Sequence, residues 1–178
     1  MKGLIVYKGK YGATRQYAQW LAEELNLPVF SAADLPADSL LHYDLIIIGS
    51  SVYIGKLQIS KWLRNNLSLI RDKKIFFFQV AGTPPEQKEK LQAYIQTGVP
   101  EEIRNQCEFY FYPGKMIIKD LSWKDRFMLK MGARLIKDTA ATKTMLTDYN
   151  HVKKENITNL VNAVKKYCGA TIKKAQLV

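Results

Sequence analysis

A short loop with two glycines, a lysine and a threonine is the first segment whose residue types could do chemistry. It lies between an apolar run and a helical pattern and reads Gly9, Lys10, Tyr11, Gly12, Ala13, Thr14. Glycines let the backbone turn tightly and direct its N–H groups inward, and a helix start adds a partial positive charge. The loop could therefore bind one terminal phosphate, with Thr14 supplying a hydroxyl. It lacks the GK[ST] of a Walker loop and the spacing of a dinucleotide fingerprint, and an ordinary strand–helix turn is an equal alternative.

Two further loops offer room for a flat ring. One is the loop from Gly49 to Lys56, which follows an apolar run that we expect to end at Gly49, and its candidate cofactor residues are Ser51, Val52, Tyr53, Ile54 and Gly55. An aromatic residue between two glycines is poorly placed for a core, so Tyr53 could stack on a heteroaromatic ring, and an exposed tyrosine on a surface turn is the alternative. The other loop contains small residues that would let a ring approach the backbone: Ala81, Gly82 and Thr83.

Apolar runs and helical stripes alternate along the chain and place these loops. The expected strands are Gly3–Tyr7, Pro28–Phe30, Tyr43–Ile48, Lys74–Val80 and Cys107–Tyr112. Helical patterns separate them, and the last is expected from about Asn150 to Cys168 with Gly169 as its C-cap. The alternation predicts an α/β fold with a doubly wound, five-stranded parallel sheet in the order 2-1-3-4-5. Ligands bind such sheets beyond the carboxyl ends of the strands, where all three loops fall.

The segment from Asp120 to Lys137 has a different pattern. Its apolar residues Trp123, Phe127, Met131 and Leu135 recur at i, i+4 spacing and are surrounded by basic residues. A basic amphipathic helix with a tryptophan is typical of a membrane interface, and a helix packed on its own domain is the alternative. We expect an extra helical insertion at about 114–145 of a single domain covering 1–178. Its expected docking residues are Trp123, Lys124, Arg126, Phe127, Lys130, Met131 and Arg134.

Composition limits the class of protein and its partners. With 178 residues, 47% of them hydrophobic, the chain can form one domain with a sizeable core. It has no apolar run of membrane-spanning length and no signal-peptide pattern, so a cytoplasmic protein is expected. The net charge of +11 favours an anionic partner, either nucleic acid, anionic lipid or an acidic protein, and a soluble protein with a lysine-rich surface is the alternative. The sequence shows no RNA-binding motif or zinc finger, which argues against nucleic acid. Two distant cysteines and two histidines predict neither a disulfide framework nor a metal site.

The order of elements and the first loop resemble the flavodoxin family over nearly the whole chain. Flavodoxins bind the FMN phosphate with a loop of the form [ST]-x-T-G-x-T. Gly12 and Thr14 match that form, whereas Gly9 and Tyr11 replace two hydroxyl residues. The resemblance implies FMN as the cofactor, held at the three loops, with the backbone cradle doing more of the phosphate binding than side chains.

A narrower resemblance lies in the insertion. The stretch from Ser122 to Met131, followed by Thr147-Asp148-Tyr149, is similar to the W-x-D-R-F-M-x-K and T-D-[WY] stretches of bacterial menaquinone-dependent protoporphyrinogen IX dehydrogenases. It implies an FMN-dependent dehydrogenase that takes electrons from a reduced organic substrate, such as a porphyrinogen, and passes them to a quinone. It also implies haem biosynthesis as the context and a peripheral position at the inner face of the cell membrane.

Two other functions stay open at this point. One is a flavodoxin that acts only as an electron carrier, although such carriers are typically acidic. The other is a basic lipid- or nucleic-acid-binding module with a vestigial flavin site. No side chain stands out as an obligatory catalytic acid or base.

Overall fold

Parallel strands form the central sheet of the computed structural model, which describes residues 2–135 and 146–175. The strands of this sheet are β1 (Gly3–Lys8), β2 (Val29–Ser31), β3 (Leu45–Tyr53), β4 (Lys56–Leu57), β5 (Lys74–Ala81) and β6 (Cys107–Pro113). The parallel order is β2-β1-β3-β5-β6, and the short β4 pairs antiparallel with the end of β3. Because β4 stands outside the parallel set, this is the 2-1-3-4-5 order predicted from the sequence, and the α/β prediction is confirmed.

Helices connect the strands on both faces of the sheet. They are α1 (Ala13–Leu25), α2 (Ser60–Asn65), α3 (Leu67–Ile70), α4 (Lys88–Gly98), α5 (Glu101–Arg104), α6 (Trp123–Leu135) and α7 (Thr158–Ala175). Short 3-10 turns occupy Ala37–His42, Ile118–Asp120 and Lys154–Ile157. The predicted start of the last helix at Asn150 was wrong, because Asn150 is paired in a strand. The predicted C-cap at Gly169 was also wrong, because α7 continues through this residue to Ala175.

Successive side chains of the strands pack into separate cores on the two faces of the sheet. Ile48 and Phe77 pack on the face covered by α2 to α5, whereas Ile47 and Phe78 pack on the face covered by α1 and α7. All four are fully buried. Strands buried on both faces are expected to be continuously apolar, which is why these runs were recognisable in the sequence.

Strand β3 is longer than the sequence predicted. It does not end at Gly49 but continues to Tyr53 and pairs with β5 as far as Ser51 and Val80. A Cβ at Gly49 would overlap the ring of Phe78, so this glycine serves close packing between strands and not a turn. The turn comes later, at Ile54 and Gly55, which have φ values of 47° and 70° and connect β3 to β4.

The insertion begins and ends at a two-stranded ribbon. Strand β7 (Lys115–Met116) pairs antiparallel with β8 (Tyr149–Asn150), and the N–H of His151 donates to the carbonyl of Gly114 at 3.2 Å. Along the chain, α6 follows β7 and precedes β8. The sequence predicted a helical insertion at this point, after the last parallel strand. Residues 136–145 of the insertion, including Ile136 and Lys137, lie outside the described residues.

Candidate functional site

A pocket of about 450 Å³ lies at the carboxyl ends of β1, β3 and β5. This volume is typical of small-molecule sites. The segments that follow β1, β3 and β5 line the pocket together with the β7–β8 ribbon and α6. Its main lining residues are Lys10, Tyr11, Thr14, Val52, Tyr53, Ala81, Gly82, Lys115, Met116, Leu121, Asp125, Met128, Leu129 and Tyr149. The pocket therefore lies where parallel sheets bind ligands.

The start of α1 has the features of a phosphate site. Gly12 occupies the N-cap position with φ 83° and ψ −17°, a left-handed conformation that favours glycine, and among the described residues no side chain caps the helix. The N–H groups of the first turn are therefore available to an anion. The nearest cation is Lys115, whose Nζ lies 3.7 Å from the position that a Cβ on Gly12 would take.

Thr14 supplies the strongest sign that a ligand belongs here. It is 1% exposed, and its Oγ1 has no hydrogen-bond partner among the described residues. A Cβ on Gly9 would lie 2.6 Å from this oxygen, so the glycine lets the hydroxyl pack against the turn. An unpaired buried hydroxyl costs about 1–3 kcal/mol, which a phosphate oxygen accepting from Oγ1 would offset. The residues present thus fit the phosphate of FMN.

Four of the lining residues form a hydrogen-bonded cluster. The hydroxyl of Tyr53 donates to Oδ1 of Asp125 at 2.6 Å, and Nζ of Lys10 lies 2.7 Å from Oδ2 of Asp125 and 3.0 Å from the Tyr53 hydroxyl. The hydroxyl of Tyr11 also donates to Asp125. The ammonium group of Lys10 lies 4.3 Å from the centre of the Tyr53 ring, within range of a cation–π interaction. These contacts fix the position of Tyr53.

The cluster also sets the charges at the site. Burial alone would raise the pKa of Asp125, but hydrogen bonds from Lys10, Tyr11 and Tyr53 outweigh it and hold this pKa at about 2. The hydrogen bonds to Asp125 and Tyr53 raise the pKa of Lys10 above its usual value. Both groups are therefore charged near neutral pH. Lys10 is therefore paired with the carboxylate of Asp125, whereas Lys115 lies beside Gly12 at the start of α1.

The structure brings most of the residues predicted for the cofactor site to this pocket. Its lining includes Lys10, Tyr11, Ala13, Thr14, Ser51, Val52, Tyr53, Ile54, Ala81 and Gly82. Gly9 and Gly12 lie in the turn between β1 and α1, and Gly55 lies at the tip of the β3–β4 hairpin. Thr83 points elsewhere, with its hydroxyl 3.3 Å from that of Tyr94 on α4. That these residues bind FMN stays a prediction.

Sequence reasoning missed the wall that the insertion contributes. Asp125, Met128 and Tyr149 line the pocket although they lie far from the three loops along the chain. A Cβ on Gly82 would overlap the hydroxyl of Tyr149, so the ring of this tyrosine fills the space next to the third loop. Their only signal in the sequence was membership of the two stretches that resemble the quinone-dependent dehydrogenases.

Helix α6 presents its apolar stripe to solvent. Trp123 is 72% exposed, Phe127 61% and Met131 43%, whereas the residues packed against the domain are Asp125, Leu129 and Ala133. The basic residues Lys124, Arg126, Lys130 and Arg134 are exposed as well. The part of the predicted stripe formed by Trp123, Phe127 and Met131 therefore does not pack on the domain. Within the described parts of the chain, no helix has the length and apolar character needed to cross a membrane.

Outside the pocket, the described titratable groups include the two cysteines. In the part of the chain that the structure describes, no cluster of histidine, cysteine and carboxylate side chains could hold a metal ion. Cys107 and Cys168 are unpaired and half-buried. Burial raises the pKa of Cys107 to about 12, which leaves its thiol protonated and unreactive near neutral pH.

Comparisons with known proteins found a relative, similar solved structures and a family model. An uncharacterized protein of Methanocaldococcus jannaschii is 35% identical over 85 residues, which are 47% of this chain and 57% of that protein, so the match spans just over half of that relative. A flavodoxin from the domain Archaea has a TM-score of 0.45 and 21% identity, over 67% of this chain and 88% of that one. Oxidised flavodoxin 2 from Bacillus cereus has the same TM-score and identity, over 64% and 84% of the two chains. A model of the flavodoxin domain matches residues 4–144. Because this match covers most of its length, the chain belongs to the flavodoxin domain family.

Proposed function

We propose that the pocket binds FMN and that the protein is a flavin-dependent redox protein. The observation that carries this proposal is the buried hydroxyl of Thr14, which has no hydrogen-bond partner in the described part of the chain. It lies at a helix start where Gly12, the N-cap residue, has no side chain to cap the helix. A bound FMN would supply the redox chemistry, and the protein would supply position and electrostatics. Family membership supports the same cofactor.

The described residues suggest a division of roles. The N–H groups at the start of α1 and the hydroxyl of Thr14 would bind the phosphate, with Lys115 adding a positive charge. Tyr53 would lie against the ring, and the small residues Ala81 and Gly82 would let the ring approach β5. Leu121 and Leu129 form an apolar wall that would exclude water from the ring.

Comparing FMN with riboflavin tests the cofactor proposal. The two ligands share the ring and differ in the phosphate, so FMN is expected to bind far more tightly. The measurement is a fluorescence or calorimetric titration of flavin-free protein. Equal affinities would contradict the phosphate assignment, and a colourless protein that takes up neither ligand would favour a vestigial site.

For the reaction, we propose oxidation of a reduced organic substrate, such as a porphyrinogen, with a quinone as electron acceptor. Two features support this choice over a carrier: the stretch from Ser122 to Met131 and the net charge of +11. The test is anaerobic oxidation of protoporphyrinogen by the FMN-loaded protein, with and without menaquinone. Oxidation that depends on menaquinone is expected.

An electron carrier is the second candidate, because the family match is equally consistent with it. A carrier would exchange electrons with a flavodoxin reductase, and the rate would depend on salt because docking would be electrostatic. Reductase turnover without any protoporphyrinogen oxidation would favour the carrier.

We further propose that the outer face of α6 docks on an anionic membrane surface, where a quinone would be reached. Trp123, Phe127 and Met131 would enter the interface, and the surrounding basic residues would face the lipid headgroups. Each lysine or arginine near such a surface contributes about 1 kcal/mol, and the attraction decays within a Debye length. Met128 lies at the edge of this face and also lines the pocket, so docking would bring the pocket close to the membrane.

Sedimentation with lipid vesicles tests this surface. The intact protein is expected to bind vesicles rich in phosphatidylglycerol at low salt, to lose binding as salt rises, and to bind neutral phosphatidylcholine vesicles much less. Failure to bind the anionic vesicles at low salt would contradict membrane docking.

A further inference from the structure

The carboxylate of Asp125 joins three segments that are distant in sequence. Asp125 lies in the first turn of α6 and is 7% exposed. Its Oδ1 accepts from Tyr53 at 2.6 Å, and its Oδ2 accepts from Lys10 at 2.7 Å and from Tyr11. One side chain of the insertion therefore contacts both the phosphate loop and the β3–β4 hairpin.

This carboxylate is not used to cap its own helix. In a capping box, the acidic residue at the third helical position accepts from the N–H of the N-cap residue. Here the Oγ of Ser122 accepts from the N–H of Asp125 at 3.2 Å, as a cap should. The N–H of Ser122, however, lies 3.4 Å from the hydroxyl of Tyr11, which in turn donates to Asp125. The carboxylate thus points away from α6 and towards the cofactor loops.

We propose that Asp125 is a positioning residue for the pocket, which holds Tyr53 and Lys10 in place and fixes α6 against the cofactor loops. This inference rests on the proposed FMN site. Holding the Tyr53 hydroxyl would order the ring before the ligand arrives, which lowers the entropy lost on binding. Pairing Lys10 with Asp125 would leave Lys115 as the cation nearest the phosphate turn.

An isosteric variant separates this role from simple packing. Asparagine keeps the shape of Asp125 but has one acceptor oxygen and an NH₂ group that cannot accept from Lys10 or a tyrosine hydroxyl. Asp125→Glu keeps the charge and both acceptors on a longer side chain. The matched control is Asp148→Asn, because Asp148 is in the same insertion, accepts a hydrogen bond from the N–H of Ile118 at 2.8 Å, and does not line the pocket.

Binding of riboflavin isolates the effect on the ring from the effect on the phosphate. Losing a negative charge near the phosphate loop would by itself tighten FMN binding, whereas loss of ring positioning would weaken both ligands. Asp125→Asn is expected to weaken riboflavin binding roughly tenfold, and Asp125→Glu is expected to recover part of this loss. Asp148→Asn is expected to change the riboflavin affinity by less than about twofold. Tighter FMN binding with unchanged riboflavin binding would overturn the proposal.

A double-mutant cycle tests whether Asp125 acts through Tyr53. Tyr53→Phe removes the hydroxyl and keeps the ring. If the two residues act together, the double variant is expected to bind riboflavin about as weakly as Asp125→Asn alone, because groups in one network are not additive. Additive losses would overturn the proposal, because they would mean that Asp125 acts independently of Tyr53.

Hydrogen–deuterium exchange on the flavin-free protein gives a readout that does not need the cofactor. Faster exchange is expected at residues 9–14, 51–55 and the first turn of α6 in Asp125→Asn, and not at residues 9–14 or 51–55 in Asp148→Asn. If the wild type takes up neither flavin, the proposed cofactor is wrong, and the positioning role of Asp125 is then tested by hydrogen–deuterium exchange alone. Unchanged exchange in the two loops would then overturn the positioning role.

Discussion

The parallel-sheet scaffold and the insertion bury their side chains in opposite ways. In the scaffold, Phe78 is fully buried between β5 and the helices above it, and its neighbours are equally enclosed. In the insertion, Phe127 is 61% exposed, and the residues of α6 that line the pocket include the buried, charged Asp125. The same type of side chain therefore stabilises the fold in one region and is available for contact in the other.

Because of this difference, we expect the scaffold to determine the stability of the fold and the insertion to determine what the protein binds. The scaffold positions the start of α1 and the loops after β3 and β5 through apolar packing, which is strong and does not depend on direction. The insertion is joined to those loops by the directed hydrogen bonds of Asp125 with Lys10, Tyr11 and Tyr53. Changes in the scaffold are therefore expected to unfold the protein, whereas changes in α6 are expected to alter what it binds.

A matched pair of phenylalanine variants gives the largest expected contrast. Phe78→Ala should lower the free energy of unfolding by about 3–5 kcal/mol, because it removes a fully buried ring and leaves a cavity. Phe127→Ala should change it by less than about 0.5 kcal/mol, because most of this ring is already in water. Urea denaturation of both variants measures this. A large loss of stability in Phe127→Ala would place the α6 stripe in the core and contradict the docking surface.

Charge reversal on α6 tests the outer face next. Lys124→Glu with Lys130→Glu should weaken binding to anionic vesicles by about 2 kcal/mol or more, which is roughly thirtyfold. The same double change on α4, Lys88→Glu with Lys90→Glu, is the control, because both residues are exposed on a helix outside the insertion that packs on the core containing Ile48 and Phe77. An equal loss in both variants would mean that net charge alone drives binding and that α6 is not the docking surface.

Removal of one hydroxyl tests the scaffold's part of the pocket. Thr14→Val keeps the shape of the side chain and should weaken FMN binding by about 1–2 kcal/mol, with riboflavin binding nearly unchanged. Titration with both ligands measures the difference. Unchanged FMN affinity would show that the unpartnered Oγ1 of Thr14 is not a phosphate ligand.

The smallest expected effect concerns the link between the two regions at low pH. The pKa of Asp125 is about 2 in the folded protein, below its ordinary value of 3.8, so its hydrogen bonds stabilise the fold fully above about pH 4 and are lost as the pH falls towards 2. The stability difference between the wild type and Asp125→Asn should therefore be constant from pH 7 to 5 and shrink below pH 4. Urea titrations at each pH measure it. A difference that stays constant down to pH 2 would mean that the folded carboxylate has no depressed pKa.

The sequence by itself determined the sheet and the loops that follow its strands. Buried parallel strands must be apolar without interruption, and runs such as the one ending at Ile48 are visible without any structure. The turn before the first helix was equally readable, because Gly12 follows β1 and directly precedes α1, which contains Thr14. That this turn binds a phosphate stays a prediction. The predicted end of the third strand at Gly49 was wrong, because the sequence does not distinguish a glycine required for packing against Phe78 from one required for a turn.

Only the tertiary structure decided what the insertion does at the site. Asp125 lies 72 residues from Tyr53 and 115 from Lys10, and no local pattern says that a helix's acidic residue will accept from two distant loops instead of capping its own first turn. The tertiary structure also decided three further features. Lys10 pairs with Asp125, Lys115 lies near Gly12, and Trp123 is exposed. Each depends on where the β7–β8 ribbon places α6, and long-range placement of this kind is set by packing across the whole fold and not by the spacing of residues along the chain.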